Sequence, residues 1–436
     1  MAKMKLKYNL NDTPPFLELL LLGLQWLAIA IPTIIILGKV VAGLHFDNPI
    51  DQINYLQKLF FVAAISIFIQ VIWGHQLPLI MGPAAVLLVG IVSSQSSNVN
   101  SVYSSIIIGG IILTVLSITG LFGYLKRLFT PRVVATILIM IAFTLTPMIM
   151  NLIINSAVQG TSFINLCFAL ILVIGMFVAN KFLIGIWKST LIIWSIIVGS
   201  LLYVFIVPQY QLLEFNTNVG IISPLFESIN FDFNFEPGVL ISFLVCFLAL
   251  AINDLGSIQS VGELIKPGSI PKRITRGIAF TGLSNVLSGF LGVIGPVNFS
   301  LSTGVIASTG IASRFTLIPT CFGLLIISFL PGVIALIGNI PSVVVGTILI
   351  YILCSQISAG LLVAFNSINK FYFEYGLIIG LPLMLSTIIS FLPVETLTTF
   401  PPLVRPIIGN GFVVGILTVL IMEHIIFKEK KANQNS

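Results

Sequence analysis

The sequence predicts an all-α polytopic membrane protein with fourteen transmembrane segments, arranged as two inverted repeats of seven. Three observations support this fold class: the composition, the positions of the positive charges and a repeated Gly-Pro motif. Of the 436 residues, 57% are hydrophobic and 8% are charged, whereas soluble domains contain about 25% charged residues. Mean hydropathy is +1.12, so most of the chain is expected to lie in lipid.

The apolar stretches delimit the fourteen segments. A membrane helix needs about 20 apolar residues, and a broken helix needs fewer. The segments are 16–38, 55–73, 77–94, 102–123, 131–154, 162–180, 186–207, 238–256, 273–293, 296–312, 315–338, 341–364, 371–394 and 406–427. Segments 3 and 10 are short and broken. The longest polar stretch, 207–237, is too short for an independent soluble core.

Positive charges indicate the orientation. With a cytoplasmic N-terminus, all but three of the 20 Lys and Arg residues fall in cytoplasmic loops or termini, as the positive-inside rule expects. An even number of spans returns the C-terminus to the same side. The sequence therefore predicts a multi-pass protein of the plasma membrane, with residues 1–15 and 428–436 both cytoplasmic.

The second half of the chain repeats the first in the opposite orientation. The outside loop 208–237 separates two halves of seven spans, and an odd number per half inverts the second, as in many secondary transporters. Met81–Ala84 (MGPA) in segment 3 matches Ile294–Val297 (IGPV) in segment 10. The stretches that begin at Pro131 and Pro341 also match, at nearly the same offset.

The stretch Ile294–Gly310 is the centre of the predicted site. It is polar and rich in glycine, and irregular backbone at membrane depth survives only inside protein or along a cavity. Proline suits the first turn of a helix, so the motifs at 82–83 and 295–296 predict two half-helices that follow extended chain. Their N-terminal N–H groups would point at a shared gap and bind the carbonyl oxygens of a planar heterocycle, or an anion. The alternatives are close helix packing and kinks without function.

Polar side chains inside apolar segments are further candidates. Asp254 ends a long apolar run, and an ionisable residue at membrane depth suggests a function. It is the candidate for ion coupling, unless it lies in water at the cytoplasmic mouth. Gln25 offers two donors and an acceptor, so it should face other protein groups or a cavity. His75, in the short turn before segment 3, is expected to lie in water.

Several other classes are excluded. The basic residues lie in short loops and form no patch, which argues against nucleic acid as a partner. The four cysteines have no CxxC spacing and the three histidines are scattered, so neither a disulfide nor a metal site is expected. The sequence contains no nucleophile–base pair and no phosphate loop, so we expect neither an enzyme nor a cofactor.

With these motifs in place, the chain resembles the nucleobase–ascorbate transporter family, which includes uracil, xanthine and uric acid permeases. The resemblance implies a core domain from segments 1–4 and 8–11 and a gate domain from segments 5–7 and 12–14. The core is then 16–123 and 238–338, and the gate is 131–207 and 341–427. It also implies short antiparallel strands in segments 3 and 10, H+ or Na+ symport, an elevator-like motion and a possible homodimer through the gate domains.

The family signature matches this sequence in part. In segment 10, Leu301 and Ser302 depart from the family pattern, whereas the later Gly and Thr positions fit. The family's base-binding glutamate falls on Asn253, and the glutamine of its Gln-His pair falls on Gln25, followed here by Trp26. The resemblance therefore implies that recognition moves from side chains toward backbone N–H groups.

The implied site residues fall into three groups. The substrate would contact Asn253, Gln25, Ala85, Ser300, Leu301 and Ser302, and Asp254 would couple the ion. The structural positions are Gly82, Pro83, Gly256, Gly295, Pro296, Gly304, Thr309 and Gly310.

Two alternatives to a nucleobase symporter stay open. Anion carriers of the sulfate and bicarbonate type share the implied fold, and an asparagine in place of the site glutamate would suit an anion. A transport-inactive membrane receptor would also be consistent with the altered signature.

Overall fold

A computed structural model describes residues 6–427 except 96, 122, 124–127, 129, 155–159, 185, 209–231, 300, 367–372 and 402–404. The helices of the first half are α1 (Phe16–His45), α2 (Pro49–Ile72), α3 (Ala85–Ser93), α4 (Val99–Ile118), α5 (Pro131–Thr144), α6 (Thr146–Ile154), α7 (Ser162–Phe182), α8 (Ile186–Ser189) and α9 (Leu191–Ile206). The loop predicted outside at 208–237 and the tail at 428–436 lie largely or wholly beyond the described residues.

The second half has the same helical character. Its α-helices are α10 (Pro237–Ile265), α11 (Ile270–Phe290), α12 (Leu301–Thr309), α13 (Leu317–Ser328), α14 (Pro331–Gly338), α15 (Ser342–Asn366), α16 (Phe373–Ser390), α17 (Val394–Thr398), α18 (Arg405–Ile408) and α19 (Gly411–Ile421). A 3-10 turn precedes α13 at Arg314–Thr316, and a π-helical turn follows α19 at Met422–Ile426.

Many of these helices are long and apolar enough to cross a membrane. Within the described part of the chain there are eight such helices, or up to nine if α13, with the turn before it, and α14 form one span bent by 96°. The half-helices α3 and α12 are too short to cross alone, as their broken sequences predict. Every predicted segment contains a helix, but the number of fourteen spans stays a prediction.

Local sequence explains where several helices begin. Asn48 precedes α2 and its side chain accepts a hydrogen bond from the N–H of Ile50, while Pro49 occupies the first helical position. Thr130 caps α5 in the same way, and Asn410 caps α19. These side chains satisfy N–H groups that have no partner within the helix, and a proline at the first position has no N–H group that would need one.

The two halves interleave rather than lie side by side. Helix α4 packs on α11, α2 on α13 and α5 on α15. At the α4–α11 contact, a Cβ on Gly110 would lie 2.7 Å from the carbonyl oxygen of Gly282, and a Cβ on Gly282 would lie 2.6 Å from that of Gly110. Glycines at this crossing therefore allow the backbones to touch, as is common between membrane helices. The boundaries of the core and gate domains stay predictions.

A two-stranded antiparallel sheet lies at the centre of the interleaved halves. Strand β1 (Met81–Pro83) pairs with β2 (Pro296–Asn298), and Gly82 stands opposite Val297. The sheet leads into the half-helices α3 and α12. The predicted short strands in segments 3 and 10 are thus confirmed.

The N-terminal residues bind the chain that follows α12. Tyr8 forms a parallel bridge with Ile311. The N–H of Ala312 donates to the carbonyl of Tyr8 at 3.0 Å, and the N–H of Arg314 donates to that of Leu10 at 3.1 Å. Part of the predicted cytoplasmic N-terminus is therefore an ordered strap on the second repeat.

Candidate functional site

The paired strands β1 and β2, called the strand crossing below, satisfy the hydrogen bonds of their own backbone at membrane depth. The N–H of Ala84 donates to the carbonyl of Gly295, and the N–H of Phe299 donates to that of Ile80, both at 2.9 Å. The N–H of Ile80 in turn donates to the hydroxyl of Ser302 at 3.1 Å. This pairing removes the cost of placing extended chain inside a membrane protein.

The half-helices begin at this crossing. Helix α3 starts at Ala85 and α12 starts at Leu301, and Ala84 provides no side-chain cap. The expectation that Pro83 and Pro296 occupy the first turn of each half-helix is therefore wrong, because both lie in the paired strands. The first amides of a helix lack partners within it and carry a partial positive charge. Ser300, which was predicted to contact substrate, lies outside the described residues.

Helices α1 and α10 flank the half-helices. Helix α1 contacts β1 and α3, and α10 contacts α3, β2 and α12. Of the two predicted substrate residues on these helices, Asn253 lies at the crossing, because Ser257 bonds to its carbonyl and to that of Asn298. Gln25 lies earlier in α1, one residue before Trp26, whose Nε1 donates to Thr316. Both residues are partly buried. The Nε2 of Gln25 is buried and has no hydrogen-bond partner among the described residues, so a polar donor is available there.

Asp254 is fully buried, so the alternative that it lies in water at the cytoplasmic mouth is wrong. Its Oδ1 accepts from the backbone N–H of Asn298 at 3.1 Å and from Asn298 Nδ2 at 2.6 Å. Its Oδ2 accepts from the hydroxyl of Thr281 at 2.8 Å. The ion pairs found in the described part of the chain do not include Asp254. The carboxylate is therefore held by neutral donors alone.

His75 is also fully buried, and its predicted place in water is wrong. Its Nδ1 accepts from the N–H of Leu77 at 2.9 Å. The proton must then be on Nε2, which donates to the Oδ1 of Asn298 at 3.0 Å. Burial lowers the pKa of His75 to about 3, although the bond to Asn298 opposes this shift, so the ring is neutral. The sequence showed only a polar residue between apolar segments, and such a residue resembles a loop residue in water.

Serine and threonine hydroxyls join α10 to the second strand and its half-helix. The hydroxyl of Ser257 donates to the carbonyls of Asn253 at 3.0 Å and Asn298 at 2.9 Å. Ser260 and Thr303 share a hydrogen bond of 2.8 Å. Ser302, predicted to contact substrate, is fully buried with its hydroxyl on Ile80, so its side chain supports the scaffold.

The glycines of the Gly-Pro motifs allow close approaches. A Cβ on Gly295 would lie 1.7 Å from the Oδ1 of Asn285, whose Nδ2 donates to the carbonyl of Pro296 at 3.0 Å. A Cβ on Gly82 would lie 2.7 Å from the ring of Phe299. The structural role predicted for both glycines thus has a steric reason.

The other structural positions lie along the same elements. Gly256 is exposed in α10, and the hydroxyl of Thr309 donates to the carbonyl of Val305 at 2.8 Å within α12. Gly310 has φ +70°, a conformation that glycine adopts readily, and it ends α12. Gly304 lies within α12, and Pro83 and Pro296 stand opposite each other in the sheet.

A cavity of about 590 Å³ lies at the C-terminal ends of α1 and α3. It lies between α1 and α3 on one side and α5, α6, α15, α16 and the start of α19 on the other. Lys39, Val89, Val345 and Asn410 are among its lining residues, whereas Gln25 and Asn253 are not. The cavity is a vestibule between two groups of helices on the side predicted to be outside.

Comparisons with known proteins agree with this architecture. A family model, Xan_ur_permease, described as a permease family, matches residues 17–395. The xanthine permease of Bacillus subtilis is 24% identical, with 92% of this chain and 93% of that protein covered. The nucleobase transporter PlUacP of Paenibacillus larvae is 23% identical with the same coverage, 92% and 93%.

A solved structure shares the fold. The transmembrane domain of a cyanobacterial bicarbonate transporter, BicA, matches with a TM-score of 0.64 and 16% identity. The match covers 88% of this chain and 98% of that domain. At this identity the likeness concerns the fold alone. The predicted fold class, with its inverted repeats of seven segments, is confirmed.

Proposed function

Because the chain belongs to the permease family, we propose that it is a secondary active transporter for a nucleobase such as uracil, xanthine or urate. Family membership makes it a multi-pass membrane transporter and not an enzyme. The names of its relatives, a xanthine permease and a nucleobase transporter, support the substrate class. We place it in the plasma membrane with both termini cytoplasmic.

The observation that carries this proposal is the pair of helix N-termini that begin at the two-stranded sheet. A buried amide donor without a partner among the described residues, Gln25 Nε2, lies in α1, which contacts strand β1 and helix α3. A nucleobase is planar and offers carbonyl oxygens next to ring N–H groups. The N–H groups at the first positions of α3 and α12 suit those oxygens, and Gln25 Nε2 adds a side-chain donor. Asn253 can donate and accept at the base edge. A buried donor left unpaired costs about 1–3 kcal/mol, which a bound base would recover.

We assign ion coupling to Asp254. A carboxylate buried at membrane depth without a cationic partner is costly, so loading by H+ or Na+ is favourable. Its three neutral donors can hold the charged form until an ion arrives. The transport step would be an elevator-like movement of the core helices against the gate helices, and the vestibule would open to the outside.

Uptake by purified protein in liposomes tests the proposal. Labelled uracil, xanthine and urate are offered with an imposed H+ or Na+ gradient, and protein-free liposomes set the background. Accumulation of one base, with competition by the unlabelled base, is expected. Gln25→Ala and Asn253→Ala should raise its KM. If no base accumulates and none raises the melting temperature, the proposal is wrong.

An anion is the second candidate substrate. Paired helix N-termini favour anions, and position 253 holds a neutral side chain. Saturable uptake of bicarbonate or sulfate that bases do not inhibit would decide for it. Stabilisation by a base without any uptake would instead indicate a transport-inactive receptor.

We also propose a homodimer through the gate helices. Long apolar helices there, such as α7 and α16, are buried for only 22% and 17% of their most apolar window, so they face lipid or another copy. Native mass spectrometry from lipid nanodiscs tests this proposal, and a monomer at all concentrations would contradict it.

A further inference from the structure

We infer that a closed ring of buried side chains fixes the strand crossing, and that His75 is a positioning residue for the substrate site. The ring consists of Gln70, His75, Asp254, Thr281 and Asn298. All five side chains are fully buried. The transport measurement below rests on the proposed function, whereas the exchange measurement does not.

Each link of the ring is a hydrogen bond. Gln70 Nε2 donates to Thr281 Oγ1 at 3.0 Å, and Thr281 Oγ1 donates to Asp254 Oδ2 at 2.8 Å. Asn298 Nδ2 donates to Asp254 Oδ1 at 2.6 Å, and His75 Nε2 donates to Asn298 Oδ1 at 3.0 Å. The backbone N–H of His75 closes the ring by donating to Gln70 Oε1 at 3.2 Å.

The ring joins the two repeats. Gln70 lies in α2, and His75 lies in the turn between α2 and β1, both in the first repeat. Asp254 lies in α10, Thr281 in α11 and Asn298 at the end of β2, all in the second. Because every member is buried, the loss of one leaves a polar atom of a neighbour with fewer partners and weakens the whole ring.

Asn298 connects the ring to the substrate site. Its backbone N–H donates to Asp254 and its carbonyl accepts from Ser257, while its side chain bonds to His75 and Asp254. All four of its polar groups are therefore engaged. Only two residues separate Asn298 from the start of α12, so its position sets where the first N–H groups of that half-helix point.

His75 therefore acts on the site through Asn298. The imidazole fills two roles at once, because Nδ1 accepts from the N–H of Leu77 and Nε2 donates to Asn298. Removal of the imidazole leaves the Asn298 Oδ1 unpaired and frees the Asn298 side chain to rotate. The base would then meet donors in altered positions, although His75 itself touches no substrate.

Transport kinetics separate positioning from plain stabilisation. In His75→Ala, we expect the KM for the transported base to rise by about tenfold, which corresponds to about 1.4 kcal/mol. The maximal rate per folded molecule should change far less. His75→Gln can still donate to Asn298 and should recover part of the affinity. His424→Ala is the matched control, because His424 bonds to Leu128 at an exposed place in the predicted gate.

Hydrogen exchange gives a readout without substrate. The N–H of Asn298 donates to Asp254 and is thereby protected from exchange. In His75→Ala, backbone amides in peptides that cover 294–302 should therefore exchange faster than in wild type. Amides in peptides from α16 should exchange at the wild-type rate. If wild type transports no base, the proposed function fails and this measurement still tests the ring. If His75→Ala does not fold, His75→Gln is measured in its place. A variant with wild-type exchange at 294–302, or one with reduced stability but unchanged KM, would overturn the positioning role.

Discussion

The carboxylate of Asp254 accepts two hydrogen bonds from Asn298, one from the backbone N–H at 3.1 Å and one from Nδ2 at 2.6 Å. The same residue that we propose for ion coupling therefore holds the strand before α12. A proton or cation on the carboxylate would change the bonds that it accepts. Ion binding would then reach the substrate site through the hydrogen bonds from Asn298 to Asp254, because only two residues separate Asn298 from the start of α12.

Asp254→Asn tests both roles of this residue. The variant cannot bind a proton or cation as a carboxylate does, so we expect ion-driven accumulation of the base to be lost. The NH2 group of the new asparagine would also face a donor of Asn298 or Thr281 where an oxygen now accepts, at a cost of about 1–3 kcal/mol in stability. Accumulation and melting temperature are measured together.

A reciprocal exchange provides the control for this variant. In the double variant Asp254→Asn with Asn298→Asp, the amide at position 254 can donate to the carboxylate at position 298. Most of the decrease in melting temperature should therefore be reversed. Asp51→Asn, an exposed position in the first turn of α2, should change neither quantity. Full ion-driven accumulation by Asp254→Asn would show that coupling lies elsewhere.

Gly295→Ala tests the close approach at the crossing. The added methyl group would overlap the Oδ1 of Asn285, so the Asn285 side chain, which bonds to Pro296, or the backbone around it must shift. Such overpacking costs about 1–3 kcal/mol, and we expect a lower melting temperature together with weaker base binding. Gly175→Ala in α7 is the matched control, because a Cβ there meets nothing within 4 Å. Equal melting temperatures for the two variants would contradict this account.

The fold could be predicted because its signals are local or repeated. Apolar length predicted the long helices, and the Gly-Pro motifs at 82–83 and 295–296 predicted that two half-helices follow extended chain. The motifs did not give the start of each half-helix, because both prolines lie in the strands. Proline and glycine impose backbone geometry wherever they occur, so these signals do not depend on distant partners. The short strands followed from the family resemblance.

The internal partners of the site could not be predicted in the same way. His75 and Asn298 are 223 residues apart, and the pairing of Asp254 with Thr281 depends on how α10 and α11 pack. A sequence read locally places His75 in a polar turn and does not show that this turn is covered by the other repeat. Burial of Asp254 was one of two open interpretations, because an ionisable residue at the end of an apolar run fits both the interior and the mouth.

Lys39 anchors the chain between α14 and α15. Its Nζ donates to the carbonyl of Gly338 at 2.7 Å and also to that of Ile340. It therefore satisfies one carbonyl at the end of α14 and one just before α15. Hydrogen bonds to a charged group contribute about 1.5–3 kcal/mol. Lys39→Met keeps the apolar stem and should lower the melting temperature accordingly. Lys188→Met, at an exposed position in α8, should leave it unchanged, and a matching loss there would refute the assignment.

The neutral, buried His75 predicts how stability depends on pH. Burial is the main cause that lowers its pKa in the folded protein from 6.5 to about 3, and the charge of Arg273 adds to the shift. Below pH 6.5 the unfolded chain binds a proton that the folded protein does not. The stabilisation from this group is therefore complete above pH 6.5 and is lost toward pH 3, by at most about 1.4 kcal/mol per pH unit. Melting temperatures measured from pH 7.5 to 4.5 should fall less steeply for His75→Gln than for wild type. Parallel curves would show that this histidine does not titrate as its burial requires.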